Sequence, residues 1–267
     1  MRSGRIFLPT LLAGGLLMGT VPALAQQPMA ADSAAPTTRP TLLRRSARWA
    51  IQPAGRRVLV PVLLLGAGAL TTHRIELIEF DEEVREELHE HLRPVRTSID
   101  DQLRHVPAYA TVGLSLLGVK GKHSTVNQAL LFALTYTINN TLTSNLKRLT
   151  HVERPQGSSF DSFPSQHTSA AFSAARFLDR EYGERSVWYS VGGYAVATSV
   201  GALRVVKDNH WCSDVLAGAG VGMISTELAY WVYPHLQRLL PKGLQERAVI
   251  LPYYQSGATG LSVAVVL

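Results

Sequence analysis

The sequence predicts an all-α fold, a helical bundle that ends in a short strand-like tail. Long segments place apolar residues at helical spacing, and several of them carry almost no charge. Only the last stretch, AVILPYYQSGATGLSVAVVL, has a strand-like composition around a glycine-containing turn. With 267 residues, of which 46% are hydrophobic and 17% charged, the chain can form one domain with a sizeable core. The single cysteine, Cys212, excludes an internal disulfide and a cysteine-rich metal site.

The first 25 residues have the pattern of a secretory signal peptide. Arg2 and Arg5 precede an apolar run that ends in an Ala-x-Ala site at residues 23–25. We therefore expect cleavage after Ala25 and export to the periplasm, with an uncleaved anchor as the alternative. Residues 26–41, QQPMAADSAAPTTRPT, are typical of a flexible linker.

Seven segments are predicted to be helical, and together they define a helical domain over residues 42–240. They are Val58–Thr72, residues 75–93, Ile99–Val119, Ser124–Lys147, Thr168–Tyr182, Val187–Leu203 and His210–Leu240. Pro107 is expected to break the third segment, because proline cannot continue a helix without losing a hydrogen bond. Residues 241–267 form the predicted strand-like tail, and the chain contains no internal repeat.

The apolar segments leave the relation to a membrane open. A membrane-spanning helix needs about 20 apolar residues, with about 17 as a lower limit. Val58–Thr72 is too short by this measure, and Val187–Leu203 only reaches the limit. The arginines between residues 44 and 57 would also begin outside the cytoplasm, against the usual charge bias for a first span. An exported domain associated with the membrane and a domain with several spans both fit the sequence.

Three short segments carry the chemistry of the chain: KRLTHVERP, PSQHT and RVVKDNHWCSD. They supply three fixed cations, Lys147, Arg154 and Arg204. Any one of these side chains alone would more often be a solvated surface residue. Three cations at one point require an anion between them, and a phosphoryl group suits two arginine forks and a lysine.

The third segment pairs an imidazole with a carboxylate. Asp208 and Asn209 are good N-cap residues, so a helix is expected to begin near His210. His210 and Asp214, four residues apart, would then face the same side of this helix. The carboxylate can hold the proton on one ring nitrogen and leave the other free as a nucleophile. A pair that only caps the helix is the structural alternative.

The second segment places another histidine at a helix start. Ser165 is expected to cap a helix that begins near Gln166, and its hydroxyl could also contact a ligand. The free N–H groups of a first helical turn suit an anion, and His167 would lie beside it. Without the other two segments, an ordinary capped helix start would explain this pattern equally well.

Together the three segments resemble the signature of the type 2 phosphatidic acid phosphatase and vanadium haloperoxidase superfamily. That signature is Lys, six residues, Arg-Pro; then Pro-Ser-Gly-His; then Ser-Arg, five residues, His, three residues, Asp. The matching positions are Lys147, Arg154, Pro155, Pro164, Ser165, His167, Arg204, His210 and Asp214. The signature covers residues 147–214, and the surrounding sequence looks like the exported bacterial branch. Gln166 stands where the family has Gly, and Leu203 stands where it has Ser.

The resemblance implies a compact bundle of about six core helices and a metal-independent phosphatase that acts through a phosphohistidine. It implies His210 as nucleophile, His167 as general acid and base, and Asp214 as the residue that orients His210. The phosphate-binding positions implied are Lys147, Arg154, Ser165, Gln166 and Arg204. No metal or other cofactor is expected. Vanadate is expected as an inhibitor, or as the cofactor if the chain is a haloperoxidase.

The expected substrate is a lipid phosphate or diphosphate, such as phosphatidate, undecaprenyl diphosphate or lipid A. The net charge of +6 fits an anionic partner of this kind, and a nucleic-acid partner is not expected. A soluble periplasmic acid phosphatase of broad specificity is the main alternative, and a haloperoxidase and a non-catalytic phosphate-binding protein are further ones. The active site is expected in the periplasm, or facing it from the membrane.

Overall fold

The computed structural model describes residues 53–71, 75–91, 95–238, 248–255 and 258–265. Its elements are α1 (Pro53–Thr71), α2 (Ile75–His91), α3 (Ile99–Leu103), α4 (Val106–Leu116), α5 (Thr125–Thr150), α6 (Gln166–Tyr182), α7 (Val187–Val206), α8 (Cys212–Arg238), β1 (Ala248–Gln255) and β2 (Ala258–Val265). The predicted signal peptide and linker, residues 1–25 and 26–41, lie outside the described residues.

The predicted helices are present, and most of their ends differ from the prediction by a few residues. The segment Ile99–Val119 is an exception, because it forms the two helices α3 and α4. The break precedes Pro107, which lies in the first turn of α4, where its missing N–H costs no helical hydrogen bond.

The last helix also begins later than predicted, at Cys212 instead of near His210. Asp208 has a φ of 59°, in the left-handed region, so it cannot act as the N-cap of a helix that starts after it. The chain turns through residues 207–210 before α8 begins. His210 therefore lies in a turn and not on the helix.

Six of the described helices pack into the bundle, as predicted. Helix α8 packs against α1, α5 and α6, and α6 also packs against α4 and α7. One apolar cluster joins α5, α6 and α8 and contains Leu130, Leu131, Leu134, Phe177, Ala229, Tyr230 and Tyr233. A second, smaller cluster joins α6 to α7 through Ala171, Ala175, Ala197 and Val200.

Glycine allows α6 and α8 to come into backbone contact. A Cβ at Gly218 would lie 2.6 Å from the carbonyl oxygen of Ser165, and a Cβ at Gly222 would overlap the carbonyl oxygen of Ser169. Positions four apart lie on the same face of a helix, so the two glycines form a continuous strip against α6. This contact fixes the start of α6 beside the start of α8.

The tail forms a hairpin, which confirms the strand-like prediction. Strands β1 and β2 pair antiparallel, with Ala248 opposite Val265 and Gln255 opposite Ala258. Within the described residues these two strands form a sheet of their own.

One described helix is long and apolar enough to cross a membrane. This is α8, in whose most apolar window 61% of the residues are buried inside the fold. A central helix of a water-soluble bundle has the same length and composition, so α8 fits both surroundings.

We expect Gly222→Ala to destabilise the fold by about 1–3 kcal/mol, because the added methyl group has no space between α8 and α6. Gly192→Ala in α7 is the matched control, since a Cβ there meets nothing within 4 Å. The control should be neutral or stabilising by up to about 1 kcal/mol through helix propensity. Thermal or urea unfolding of both variants provides the measurement, and equal stability of the two would contradict the packing argument.

Candidate functional site

The start of α6 is tied directly to the start of α8. Ser165 caps α6, with its hydroxyl 3.5 Å from the Thr168 nitrogen, as predicted. Its own main-chain N–H donates to the Asp214 carbonyl oxygen at 3.0 Å. The second and third sequence motifs therefore meet at one place in the fold.

His210 and Asp214 form the predicted pair, although His210 lies in the turn before α8 and not on the helix itself. The His210 Nδ1 lies 3.4 Å from the Asp214 Oδ2, and both side chains are almost completely buried. The same Oδ2 accepts hydrogen bonds from the Trp211 N–H at 2.9 Å and from the Ser162 hydroxyl. Asp214 thus caps its own helix from the first turn while facing the imidazole. Sequence spacing alone missed Ser162, which also lies 3.4 Å from the His210 Nδ1.

The surroundings of His210 favour its neutral form. Burial lowers the pKa of His210, and the nearby cations Lys147 and Arg204 act in the same direction against Asp214. A neutral imidazole has a free lone pair on one nitrogen, which a nucleophile requires.

Lys147 reaches back from the last turns of α5 towards the second motif. Its ammonium group donates to the carbonyl oxygens of Asp161 and, at 3.3 Å, of Ser162. The pKa of Lys147 is lowered to about 8, mainly by burial and also by the charges of Arg154 and Arg204, although Asp161 and Asp214 act in the opposite direction. Lys147 is therefore close enough to both arginines for their charges to act on it.

Both arginines are held by carboxylates. Arg154 makes a two-pronged contact with Asp161, at 2.9 Å from Nε and 3.2 Å from Nη2. Arg204 donates from Nη1 to the buried Asp100 at 2.8 Å. The Nε of Arg204 is buried and has no hydrogen-bond partner among the described residues, a state that costs about 1–3 kcal/mol. An incoming anionic oxygen would relieve that cost.

His167 contacts a carboxylate from outside the three motifs. Its Nε2 lies 2.6 Å from the Asp101 Oδ1, and a fifth of its side chain is exposed. Burial and the charge of Arg204 lower the pKa of His167 to about 4, although Asp101 favours the charged form. These surroundings therefore favour the neutral form of His167 as well.

The two departures from the family signature are both tolerated by the backbone. Gln166 is the first residue of α6, and its exposed side chain points to Asn140, with 3.4 Å between the two amides. Its N–H and that of His167 lie in the first helical turn, where the helix provides no acceptor. Leu203 is half-buried and lies within α7 beside Arg204.

Sequence reasoning missed the carboxylates Asp100, Asp101 and Asp161. Asp100 and Asp101 lie 104 and 66 residues from the side chains that they contact, so no local spacing connects them. The expectation that the three cations require a bound anion is therefore only partly right, because the protein supplies carboxylates to both arginines.

The same carboxylates raise the question of a metal ion. The ligand atoms of Asp100, Asp101 and His167 lie close enough together to hold one. However, both Asp100 oxygens accept hydrogen bonds from cations, one from Arg204 and one from Lys207. This trio is thus poorly suited to binding a metal.

Helix α2 fixes the turn that carries His210. The Asp81 carboxylate accepts hydrogen bonds from the Ser213 N–H, at 2.9 Å, and from its hydroxyl, so it caps α8 from another helix. Arg85 binds both oxygens of Asp208, at 2.7 and 3.0 Å, and lies over the ring of Trp211. The same face of α2 therefore holds Asp208 in the turn and Ser213 at the start of α8.

The family model described as PAP2 superfamily matches residues 126–238. This range contains every position of the three motifs, and the match confirms the resemblance that they indicate.

A curated relative, the lipid A 1-phosphatase of Porphyromonas gingivalis, is 38% identical over 175 residues. The aligned region is 64% of this chain and 37% of the relative, so the chain spans little more than a third of that protein's length.

Two solved structures are similar. One is a transmembrane PAP2-type phosphatidylglycerolphosphate phosphatase from Bacillus subtilis, with a TM-score of 0.52 and 20% identity, covering 67% of this chain and 98% of that one. The other, Aquifex aeolicus LpxE, has a TM-score of 0.40 and 22% identity and covers 56% of this chain and 93% of that one. The first similarity concerns the fold, and the second is too distant to carry an argument.

We expect Asp81→Ala to destabilise the protein by about 0.5–2 kcal/mol, because the start of α8 loses its cap. Glu83→Ala is the matched control, since Glu83 is an exposed carboxylate on the same helix. The free energy of unfolding of both variants measures the difference. An equal decrease in the free energy of unfolding of the two variants would show that the Asp81–Ser213 contact contributes nothing to stability.

Proposed function

We propose that this chain is a phosphatase that hydrolyses phosphate monoesters or diphosphates of lipids, since residues 126–238 match the PAP2 superfamily model. The observation that carries the proposal is the grouping of cations at one buried imidazole: Lys147 and Arg204 both act on His210, and Arg154 acts on Lys147. A phosphoryl group is the ligand that such a set of donors suits best.

In the proposed mechanism, His210 attacks the phosphorus in line with the leaving oxygen. The phosphorus–oxygen bond breaks as a phosphorus–nitrogen bond forms, and His167 gives its proton to the leaving oxygen. His167, now neutral, takes a proton from the water whose oxygen attacks the phosphohistidine. The phosphorus–nitrogen bond then breaks, and its electron pair returns to His210. Asp214 holds the imidazole in one orientation throughout.

The neutral state of His167 in the empty site is compatible with its role as an acid. A phosphate that binds beside it brings negative charge, which raises the pKa of a neighbouring imidazole. Binding of the substrate thus raises the pKa of His167, so that His167 carries the proton that it must donate.

The cations and main-chain donors bind the three equatorial oxygens, where charge accumulates in the transition state. Arg204 offers its Nε, which has no partner in the described part of the chain. Lys147 adds a point charge that becomes fully protonated beside an anion. Ser165 and the N–H groups of Gln166 and His167 complete the set at the start of α6. Because these groups stabilise the charge directly, the proposed reaction requires no metal ion.

A lipid substrate is supported by the name of the curated relative, a lipid A 1-phosphatase. Two exposed apolar side chains lie in and after the first motif: Leu149 is 79% exposed and Phe160 is 61% exposed. Leu149 closely follows Lys147 in the sequence, and Phe160 directly precedes Asp161. An acyl chain could therefore lie against them while the phosphate is bound. The signal-like start of the sequence supports a periplasmic active site, at or in the membrane.

The proposal is tested by a phosphate-release panel with phosphatidate, undecaprenyl diphosphate, lipid A and p-nitrophenyl phosphate. We expect phosphate release from at least one lipid and inhibition by vanadate, which is an analogue of five-coordinate phosphorus. EDTA should cause no loss of activity. Turnover of p-nitrophenyl phosphate alone would indicate the soluble acid phosphatase alternative. Bromide oxidation with vanadate and peroxide, without phosphate release, would indicate a haloperoxidase instead.

We expect His210→Ala to reduce phosphate release by more than about 10⁴-fold, because the covalent nucleophile is lost. His235→Ala, an exposed histidine on α8, is the control and should keep full activity. Denaturation in alkali during turnover, which preserves the acid-labile phosphorus–nitrogen bond, followed by mass spectrometry without acid, should locate the phosphoryl group on residue 210. A phosphoenzyme on His167 would falsify this assignment of roles.

A further inference from the structure

Asp101 contacts the proposed general acid directly. The 2.6 Å distance between its Oδ1 and the His167 Nε2 is short for a hydrogen bond between an imidazole and a carboxylate, which indicates a strong, charge-assisted contact. Asp101 lies outside the three sequence motifs and before residues 126–238, the range of the family match.

Helix α3 is fixed in place by the neighbouring carboxylate. Asp100 is fully buried and accepts hydrogen bonds from Arg204 and Lys207, each at 2.8 Å. Burial alone would raise the pKa of Asp100, but these two cations hold it at about 2. Asp100 therefore stays ionised. Asp101 follows on the same helical turn, and its position beside His167 is set by this anchor.

The charges that act on His167 come from two elements. Arg204 from α7 and Arg104 from α3 disfavour an imidazolium, whereas Asp101 from α3 favours it. Burial adds to the effect of the arginines. Among the described residues that act on His167, Asp101 is therefore the one that helps it to carry a proton.

We propose that Asp101 is a positioning residue for His167, which holds a proton on Nε2 and leaves Nδ1 to exchange protons with the substrate. The proposal rests on the proposed function. In the first step, the Nδ1 proton passes to the leaving oxygen as the phosphorus–oxygen bond breaks. In the second step, Nδ1 accepts a proton from the attacking water, while the proton on Nε2 stays with the Asp101 contact.

The kinetic test compares two leaving groups in Asp101→Asn. A poor leaving group, such as the alkoxide of an alkyl phosphate, depends on the general acid, so kcat/KM should fall by about 10²–10⁴-fold. p-Nitrophenolate leaves without a proton, so kcat/KM for p-nitrophenyl phosphate should fall by less than about tenfold. The alkaline limb of the pH profile for the alkyl phosphate should also move to lower pH, and Asp101→Glu should restore part of the rate.

Glu87→Gln is the matched control, because Glu87 is an exposed carboxylate 3.4 Å from the His91 Nδ1 and lies outside the site. It should change neither the rates nor the pH profile. The Asp101 side chain is 48% exposed, so the thermal midpoint of Asp101→Asn should stay near that of the wild type. Equal losses with both leaving groups, or an unchanged pH profile, would overturn the proposal.

A second measurement does not depend on activity. In ¹⁵N NMR spectra, with His167 assigned by comparison with His167→Gln, the wild-type ring should carry its proton on Nε2, and Asp101→Asn should move it partly to Nδ1. The same tautomer in both proteins would overturn the positioning role. Absence of phosphate release by the wild type would contradict the proposed function instead, and the spectra would still decide the role of Asp101.

Discussion

Helices α6 and α8 approach so closely that only glycine fits on α8 at positions 218 and 222. This contact sets the distance between the starts of the two helices, where the Ser165 N–H meets the Asp214 carbonyl oxygen. Helix starts carry partial positive charge and unpaired N–H groups. At the start of α8 the N–H groups of Trp211 and Ser213 already donate to Asp214 and Asp81. The N–H groups that suit an anion are therefore those of the first turn of α6.

Grouping cations in a partly buried place is costly unless each has a partner. The two arginines have carboxylate partners, whereas Lys147 makes its described hydrogen bonds to main-chain carbonyls. Burial is the main reason why the pKa of Lys147 falls to about 8, and the charges of Arg154 and Arg204 act in the same direction against Asp161 and Asp214. By linkage, an anion that prefers the charged lysine also raises the pKa of that lysine. Phosphate binding and full protonation of Lys147 should thus support each other.

The sequence predicted the helices and the motif residues because both are encoded locally. Helical periodicity located the bundle, and fixed spacing within residues 147–214 located the chemistry. The prediction of where α8 begins was wrong, because the left-handed conformation of Asp208 and the cap from Asp81 depend on contacts with α2. Asp100 and Asp101 were missed for the same physical reason. A carboxylate more than 60 residues from its partner leaves no periodic pattern, and only the packed fold brings the two together.

The residues of the family match are therefore not sufficient to build this site. Residues 126–238 contain both imidazoles and the three cations. The groups that fix them come from earlier in the chain: Asp81 caps α8, Asp100 binds Arg204, and Asp101 binds His167. Of these, Asp101 is the one that we propose to act on proton transfer, through its contact with the His167 ring. Changes in α2 and α3 can alter the protonation of the site while the phosphate-binding residues stay the same, so pH dependence and leaving-group preference are physically separable from phosphate recognition.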